Sequence, residues 1–257
     1  MGEKGEVGKQ GGLFPELPIR ARRCDPLNVS ADCKQVCICD DGSEYAIKEA
    51  ATLATMPHNE WLCAKLAERV GIAAPAFRVV DVQGTQCFGS RWHAGEESDW
   101  WIRAYAGSLP FTDLATGISR VLALDLFIHN GDRHLKNYFV HKQHIGYSVL
   151  AMDFGRAWLF NGMPLPALPM PETENTIGDF RKLKKLFGDF VVYSEVEDVC
   201  DRLESVTSEE VEGFMSSHPE EWLKDSDRIA ISDWWKSTKR TERIVSVKEG
   251  IKDGSFL

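Results

Sequence analysis

Apolar and polar residues alternate through two short runs, 34–40 and 43–49, joined at Asp41-Gly42, a dipeptide suited to a tight hairpin. The period then lengthens. From 59 to 70, Leu62, Leu66, Ala67 and Val70 recur at helical spacing, with Asn59 as the expected cap and Gly71 as the expected stop. Alternation returns at 76–82 and 85–91 around Gln83-Gly84. Two hairpins and one helix are thus expected to form a small antiparallel sheet with the helix against it.

The second part of the chain reads as helical. Residues 93–107 contain Gly, Glu and Trp and mark the expected hinge, and 112–128 predicts a helix buried through Leu114, Ile118, Val121, Leu122 and Leu126. Residues 138–140 and 147–152 predict a hairpin, and 161–176, with Pro164, Pro166, Pro169 and Pro171, predicts a loop. From 179 to 257 the pattern is helical with a break at His218-Pro219, and Trp222, Trp234 and Trp235 are expected to pack in the core. The expected fold class is α+β: a flexible arm at 1–21, a small antiparallel-sheet N-lobe at 22–92, and a hinge with a mainly helical C-lobe at 93–257.

Composition narrows the field. With 43% hydrophobic and 27% charged residues in 257, the chain is an ordinary globular protein, and 30 basic against 39 acidic residues disfavour nucleic acid or an anionic membrane as partner. No run approaches the roughly 18 apolar residues of a membrane span, and the start MGEKGEVGKQGG has no signal-peptide core. Glu6 stands where a myristoylation signal needs Ser or Thr. The seven cysteines are expected to be free thiols in a reducing compartment, the cytoplasm, and the spacing of Cys33, Cys37 and Cys39 matches no zinc pattern.

Chemistry concentrates between Asn130 and Gly155, which reads N-G-D-R-H-L-K-N, two apolar runs, then M-D-F-G. Asp132 is the candidate to orient and deprotonate an acceptor hydroxyl. Asn137 and Asp153 offer hard oxygens of the kind magnesium prefers. Alone, each reads as a turn or cap residue; the chain order of the three is what in-line phosphoryl transfer requires. Gly155 is expected to let the backbone turn sharply after Asp153.

Lys48, in Y-A-I-K, shares a strand face with Ala46, as suits a lysine reaching nucleotide phosphates from a sheet, and Glu60 is its expected partner. Arg133 is expected to pair with a carboxylate and His134 to hydrogen bond or approach phosphate. His129, His134, His141 and His144 are separated by a strand that turns them apart, which argues against zinc. No G-x-G-x-x-G precedes the first strands; residues 25–32, with Asn28 and Ser30, fit either a phosphate-holding loop or a plain lead-in to the strand. ATP and Mg2+ are the expected cofactors.

Y-A-I-K at Lys48, N-E at Glu60, G-I-x-x-P from Gly71, F-G-S-R from Phe88, N-G-D-R-H-L-K-N, M-D-F-G and the late P-E-E-W together resemble the HipA-like serine/threonine kinases, over about residues 22–225. The resemblance implies a two-lobed protein-kinase-like fold, Asp132 as catalytic base, Asn137 and Asp153 as magnesium ligands, Lys48 on the ATP phosphates, and a protein substrate. Longer toxin members of that family carry a further N-terminal subdomain, so a compact, core-only relative is expected here. Toxin activity and an antitoxin partner are not encoded in the catalytic motifs, and a regulatory partner stays open.

The same motif pair is also similar to phosphoinositide kinases, which makes a lipid or other small-molecule hydroxyl the runner-up. Against it, residues 161–179 contain Glu172, Glu174 and Asp179 and no basic residue. A third reading, a nucleotide-binding pseudokinase acting as an interaction module, is opposed by the joint presence of Lys48, Asp132, Asn137 and Asp153.

Overall fold

The computed structural model describes residues 17–27, 32–92 and 99–256. Of the expected arm 1–21, residues 1–16 lie outside the described residues, as do the candidates Asn28 and Ser30 and hinge residues 93–98, while residues 19–21 belong to the first strand, which corrects the expected end of the arm. The strand-rich part contains β1 (Ile19–Pro26), β2 (Gln35–Cys39), β3 (Glu44–Lys48), helix α1 (Met56–Val70), β4 (Phe77–Val82) and β5 (Thr85–Arg91). Its strands close into a barrel in the order β1-β2-β3-β5-β4.

Closure corrects the expected small antiparallel sheet. Strand β1 runs antiparallel to β2 and parallel to β4, through Ile19↔Val80 and Arg20↔Asp81. Its sequence, IRARRCDP, hid this role, because a register shift between Ala21 and Arg23 breaks the alternation after one pair of residues. Cys37, Cys39, Tyr45, Ile47, Val80 and Cys87 fill the barrel.

The same register places Cys24 opposite Cys37, and the two form a disulfide. This corrects the expectation that every cysteine is a free thiol: facing positions on neighbouring strands are invisible until β1 is placed. Cys33, Cys39, Cys63, Cys87 and Cys200 form no disulfide and are buried.

Helix α1 begins three residues before the expected Asn59, with Pro57 in its first turn, and ends at Gly71 in the left-handed conformation, φ 77°. It is buried on nearly every face. Trp61 packs with Val79, Phe88 and Trp222, while Leu62, Leu66 and Val70 join the helical core. One helix therefore touches both halves of the molecule, and Glu60 lies between them.

A short helix α2 (Trp100–Tyr105) occupies part of the expected hinge. Helix α3 (Thr112–Ile128) follows as expected and stops at His129, φ 55°. Strands β6 (Tyr138–Lys142) and β7 (Tyr147–Ala151) form a separate hairpin. A 3-10 turn, Trp158–Asn161, leads into the proline-rich segment, which runs without helix or strand to α4 (Asn175–Phe187), followed by α5 (Tyr193–Ser205), α6 (Ser208–Ser216), α7 (Asp225–Lys236) and α8 (Thr238–Lys252). The break at His218-Pro219 falls between α6 and the 3-10 turn Glu220–Trp222. Among the described residues, no helix is long and apolar enough to cross a membrane.

Candidate functional site

A cleft of about 1110 Å³ lies between the barrel and the helical part. Ala46 and Lys48 from β3 line one wall, and Asp132, Asn137 and Asp153 line the other. Alternation along β3 puts Ala46 and Lys48 on the same face, as their spacing required.

Lys48 is almost fully buried, and its Nζ donates to both Glu60 Oε1 and Asp153 Oδ1, the latter at 2.6 Å. Burial pulls its pKa down, but Asp153 and Glu60 outweigh that and hold it above the ordinary lysine value. Burial raises the Glu60 carboxyl despite Lys48, whereas Lys48 overcomes desolvation at Asp153 and lowers it. Glu60 Oε1 also accepts from the Phe154 backbone N–H at 2.9 Å, so the same oxygen serves the lysine and the D-F-G turn.

Asp153 adopts φ 66°, a left-handed backbone uncommon for a residue with a side chain. Gly155 lies in a turn directly after Phe154, closed by Ala157 N donating to Phe154 O at 3.0 Å, without such a φ. Close approach also favours glycine there: a Cβ would meet Met56 Cγ at 3.0 Å and Glu60 Oε1 at 3.3 Å. The absence of a side chain lets the D-F-G segment lie directly on α1.

The 129–137 loop is built around Arg133. Its guanidinium is buried and grips Asp125 of α3 in a two-pronged pair, Nε to Oδ2 at 2.8 Å and Nη2 to Oδ1 at 2.9 Å. Nη1 donates to Asn137 O at 3.1 Å and to Met152 O. One cation thus ties α3, the loop and the residue before Asp153 together. Burial works against that charge, and Asp125 more than compensates, raising the pKa.

This frame leaves Asp132 at the cleft, 27% exposed, with Asp153 at 26%. Asn137 Nδ2 donates to Asp132 O at 3.2 Å, so its carbonyl oxygen is the atom left to act as a ligand. Asn137 and Asp153 together offer two hard oxygens, a donor set that suits a magnesium ion sharing its remaining positions with phosphate and water. His134, 46% exposed, places Nε2 3.1 Å from Asp132 Oδ1.

Three further residues reach Asp132 or its surroundings without any motif to announce them. Asn175, at the start of α4, donates from Nδ2 to Asp132 Oδ1 at 2.6 Å and lies 3.0 Å from His134 Nε2. Arg156 Nε lies 3.3 Å from Asp132 Oδ2 and 3.2 Å from Asp32 Oδ2. Asp32 follows the 28–31 segment between β1 and β2, so Arg156 links that connection to the 129–137 loop. A polar residue directly after D-F-G was the available signal for Arg156; Asn175 and Asp32 carried none.

A family model described as HipA-like kinase matches residues 31–95, the segment that carries Lys48 and Glu60. No curated protein matches the chain. Among solved structures, the Helicobacter pylori proinflammatory kinase CtkA superposes with a TM-score of 0.54 at 10% identity, over 90% of this chain and 97% of its own. A chain of the Shewanella oneidensis MR-1 toxin–antitoxin complex of HipA, HipB and operator DNA gives 0.51 at 12% identity, over 95% of this chain and 76% of its own. At such identities the shared property is the fold. The resemblance to HipA-like kinases holds through the family model over the barrel segment and through a kinase-like fold over nearly the whole chain.

Proposed function

We propose that the chain is an ATP- and magnesium-dependent phosphotransferase that modifies serine or threonine hydroxyls of a protein. The observation that carries this reading is convergence in one cleft: Lys48, braced by Glu60, meets Asp153 beside Asn137 and Asp132. Residues 22–92 would serve the nucleotide, and residues 93–257 would supply the catalytic and metal-binding loops.

Lys48 supplies a permanent positive charge for the phosphates, since its two carboxylate partners keep it protonated across the physiological range. Glu60 fixes where that charge sits. Asn137 and Asp153 would hold magnesium, which neutralises charge on the nucleotide phosphates when bound. Asp132 orients the acceptor hydroxyl and takes its proton as the new P–O bond forms. Asn175 aims the Asp132 carboxylate, and Arg133 holds the loop in place. His134 borders the same carboxylate and is exposed enough to meet phosphate.

The acceptor assignment draws on the HipA-like resemblance and on the 161–179 segment without basic residues, which ends at the cleft with Asn175 and Asp179. Lys136 and Lys182 also line the cleft and favour a phosphorylated small molecule as the second reading. A regulator of the HipB kind is supported by that neighbour's assembly alone, and the chemistry above does not need one.

The test is incubation with ATP, Mg2+ and a cell lysate, followed by mass spectrometry of phosphosites and extraction of small molecules. New phosphoserine or phosphothreonine with the wild type, absent with Asp132→Ala, is the expected result. Label confined to the lipid or small-molecule fraction would replace the protein acceptor with the second reading.

A further inference from the structure

Asp132 has both carboxylate oxygens engaged. Oδ1 accepts from Asn175 at 2.6 Å and faces His134 at 3.1 Å, while Oδ2 faces Arg156 Nε at 3.3 Å. An acceptor hydroxyl must approach one of these oxygens to deliver its proton. Asn175 sits at the root of α4, whose Thr176 donates its hydroxyl to Asn130 O and accepts from Arg133 N at 3.0 Å; that contact belongs to the loop's framework. Arg156 is the partner able to leave.

Its main chain is pinned by an amide side chain, whereas its side chain is held through ion pairs to Asp32 and Asp132. Asn161 Nδ2 donates to both Arg156 O, at 3.0 Å, and His129 O, at 2.7 Å, which pins the backbone. The side chain is 38% exposed, and its guanidinium lies between Asp32 and Asp132, 5.6 Å from the Phe160 ring centroid. Burial is not what determines its state: hydrogen bonding to Asp32 leads in raising its pKa, with further contributions from Asp132 and Asp153. A fork of N–H donors in contact with the base carboxylate is also within a short swing of the group being transferred, because base, hydroxyl and phosphoryl must meet.

Resting on the phosphotransfer reading above, we propose that Arg156 is a catalytic residue that leaves Asp132 for the terminal phosphoryl group of the bound nucleoside triphosphate. In that step the bond between the terminal phosphorus and its bridging oxygen breaks, releasing the nucleoside diphosphate. A bond to the acceptor oxygen forms, and the hydroxyl proton passes to Asp132. Arg156 neutralises charge on the phosphoryl oxygens while vacating the oxygen that takes the proton. Occupancy by nucleotide and readiness of the base are thereby coupled through one side chain.

A purely structural clamp between Asp32 and Asp132 makes different predictions, and binding separates the two. Affinities of wild type, Arg156→Ala and Asp32→Asn for ATP and for ADP, each with Mg2+, are measured by calorimetry alongside turnover. Arg156→Ala is expected to weaken ATP by about tenfold while leaving ADP unchanged, since only ATP carries the contacted phosphoryl, and to lower turnover at saturating ATP at least about a hundredfold. Asp32→Asn, which removes one of the two carboxylates that hold Arg156 and leaves the guanidinium in place, is expected to keep the wild-type ratio of ATP to ADP affinity. Equal weakening of both nucleotides by Arg156→Ala, reproduced by Asp32→Asn, would overturn the proposal in favour of the clamp. A wild type that binds neither nucleotide would sink the phosphotransfer reading itself; one that binds both with an unaltered ATP preference in Arg156→Ala would sink this proposal alone.

Discussion

Lys48 is the residue on which stability and chemistry meet. Its ammonium is withdrawn from water and compensated by two carboxylates, one on α1 and one at the end of the β6–β7 hairpin's exit. Removing one partner of a buried pair strands the other charge, at a cost of about 3–5 kcal/mol. Lys48→Met is therefore expected to lower the unfolding free energy by that order, and Lys48→Met combined with Glu60→Gln to recover part of it, because one of the two stranded carboxylates, the more buried one, is then gone. Urea unfolding of the three proteins checks this; an unchanged midpoint in Lys48→Met would show that the ion pairs do not hold the two halves together. Lys48, Glu60, Asp132, Asn137 and Asp153 were legible from spacing because each sits at a fixed position within a local motif. Arg156, Asn175 and Asp32 were not: they reach the site from segments whose proximity only the fold creates.

Among the elements, α1 links barrel and helical part, and its first turn is secured by an unusual pair of histidines. His58 Nδ1 lies 2.8 Å from His218 Nε2, and His218 Nδ1 lies 2.8 Å from Pro219 O. Because the carbonyl can only accept, His218 must carry its proton on Nδ1 and accept at Nε2 from His58 Nδ1–H. Both rings are neutral in this chain of bonds. Burial, reinforced by His218 and Arg228, pushes the His58 pKa down to about 3, and burial leads in lowering His218, with Arg228 assisting and the Pro219 carbonyl and Glu221 opposing. Both folded values lie below the unfolded value of about 6.5, so the unfolded chain binds more protons in the acid range. This stabilisation is complete above about pH 6.5 and, for His58, is lost as pH falls toward 3, at up to about 1.4 kcal/mol per pH unit; His218 contributes in the same direction. His129, lowered to about 4 by burial and Arg243, adds a similar slope. Denaturant unfolding between pH 7 and 5 should show a steep acid loss in wild type and a shallower one in His58→Gln. Parallel curves would contradict the neutral pair. The helix itself was legible from its apolar period, but Pro57 and the buried His58 moved its start beyond what that period marks. Strand β1 escaped for a related reason: its bulge and arginines conceal a pairing that only barrel closure makes favourable.

At the scale of the molecule, a closed barrel and a helical body meet at a cleft whose walls carry one functional set each. The alternating and helical periods conveyed this division, since they report which face of each element is buried. They did not convey closure, the disulfide or the partners of Asp132, because those depend on contacts between segments far apart in sequence. Beyond α3, the helical body was legible only as a block after residue 179, its turns, apart from Gly188 after α4, lacking the glycine signals that marked the hairpins. The kinase-like fold brings the D-R-H and D-F-G segments together beneath Lys48, and the central claim is that this arrangement transfers phosphoryl groups. Its most direct test is release or transfer of label from γ-labelled ATP with Mg2+ by wild type, Asp132→Ala and Asp153→Asn under identical conditions. Magnesium-dependent transfer in the wild type, reduced about two to four orders of magnitude in Asp132→Ala and abolished in Asp153→Asn, is the predicted result. Equal label transfer, or none, in all three proteins would contradict it.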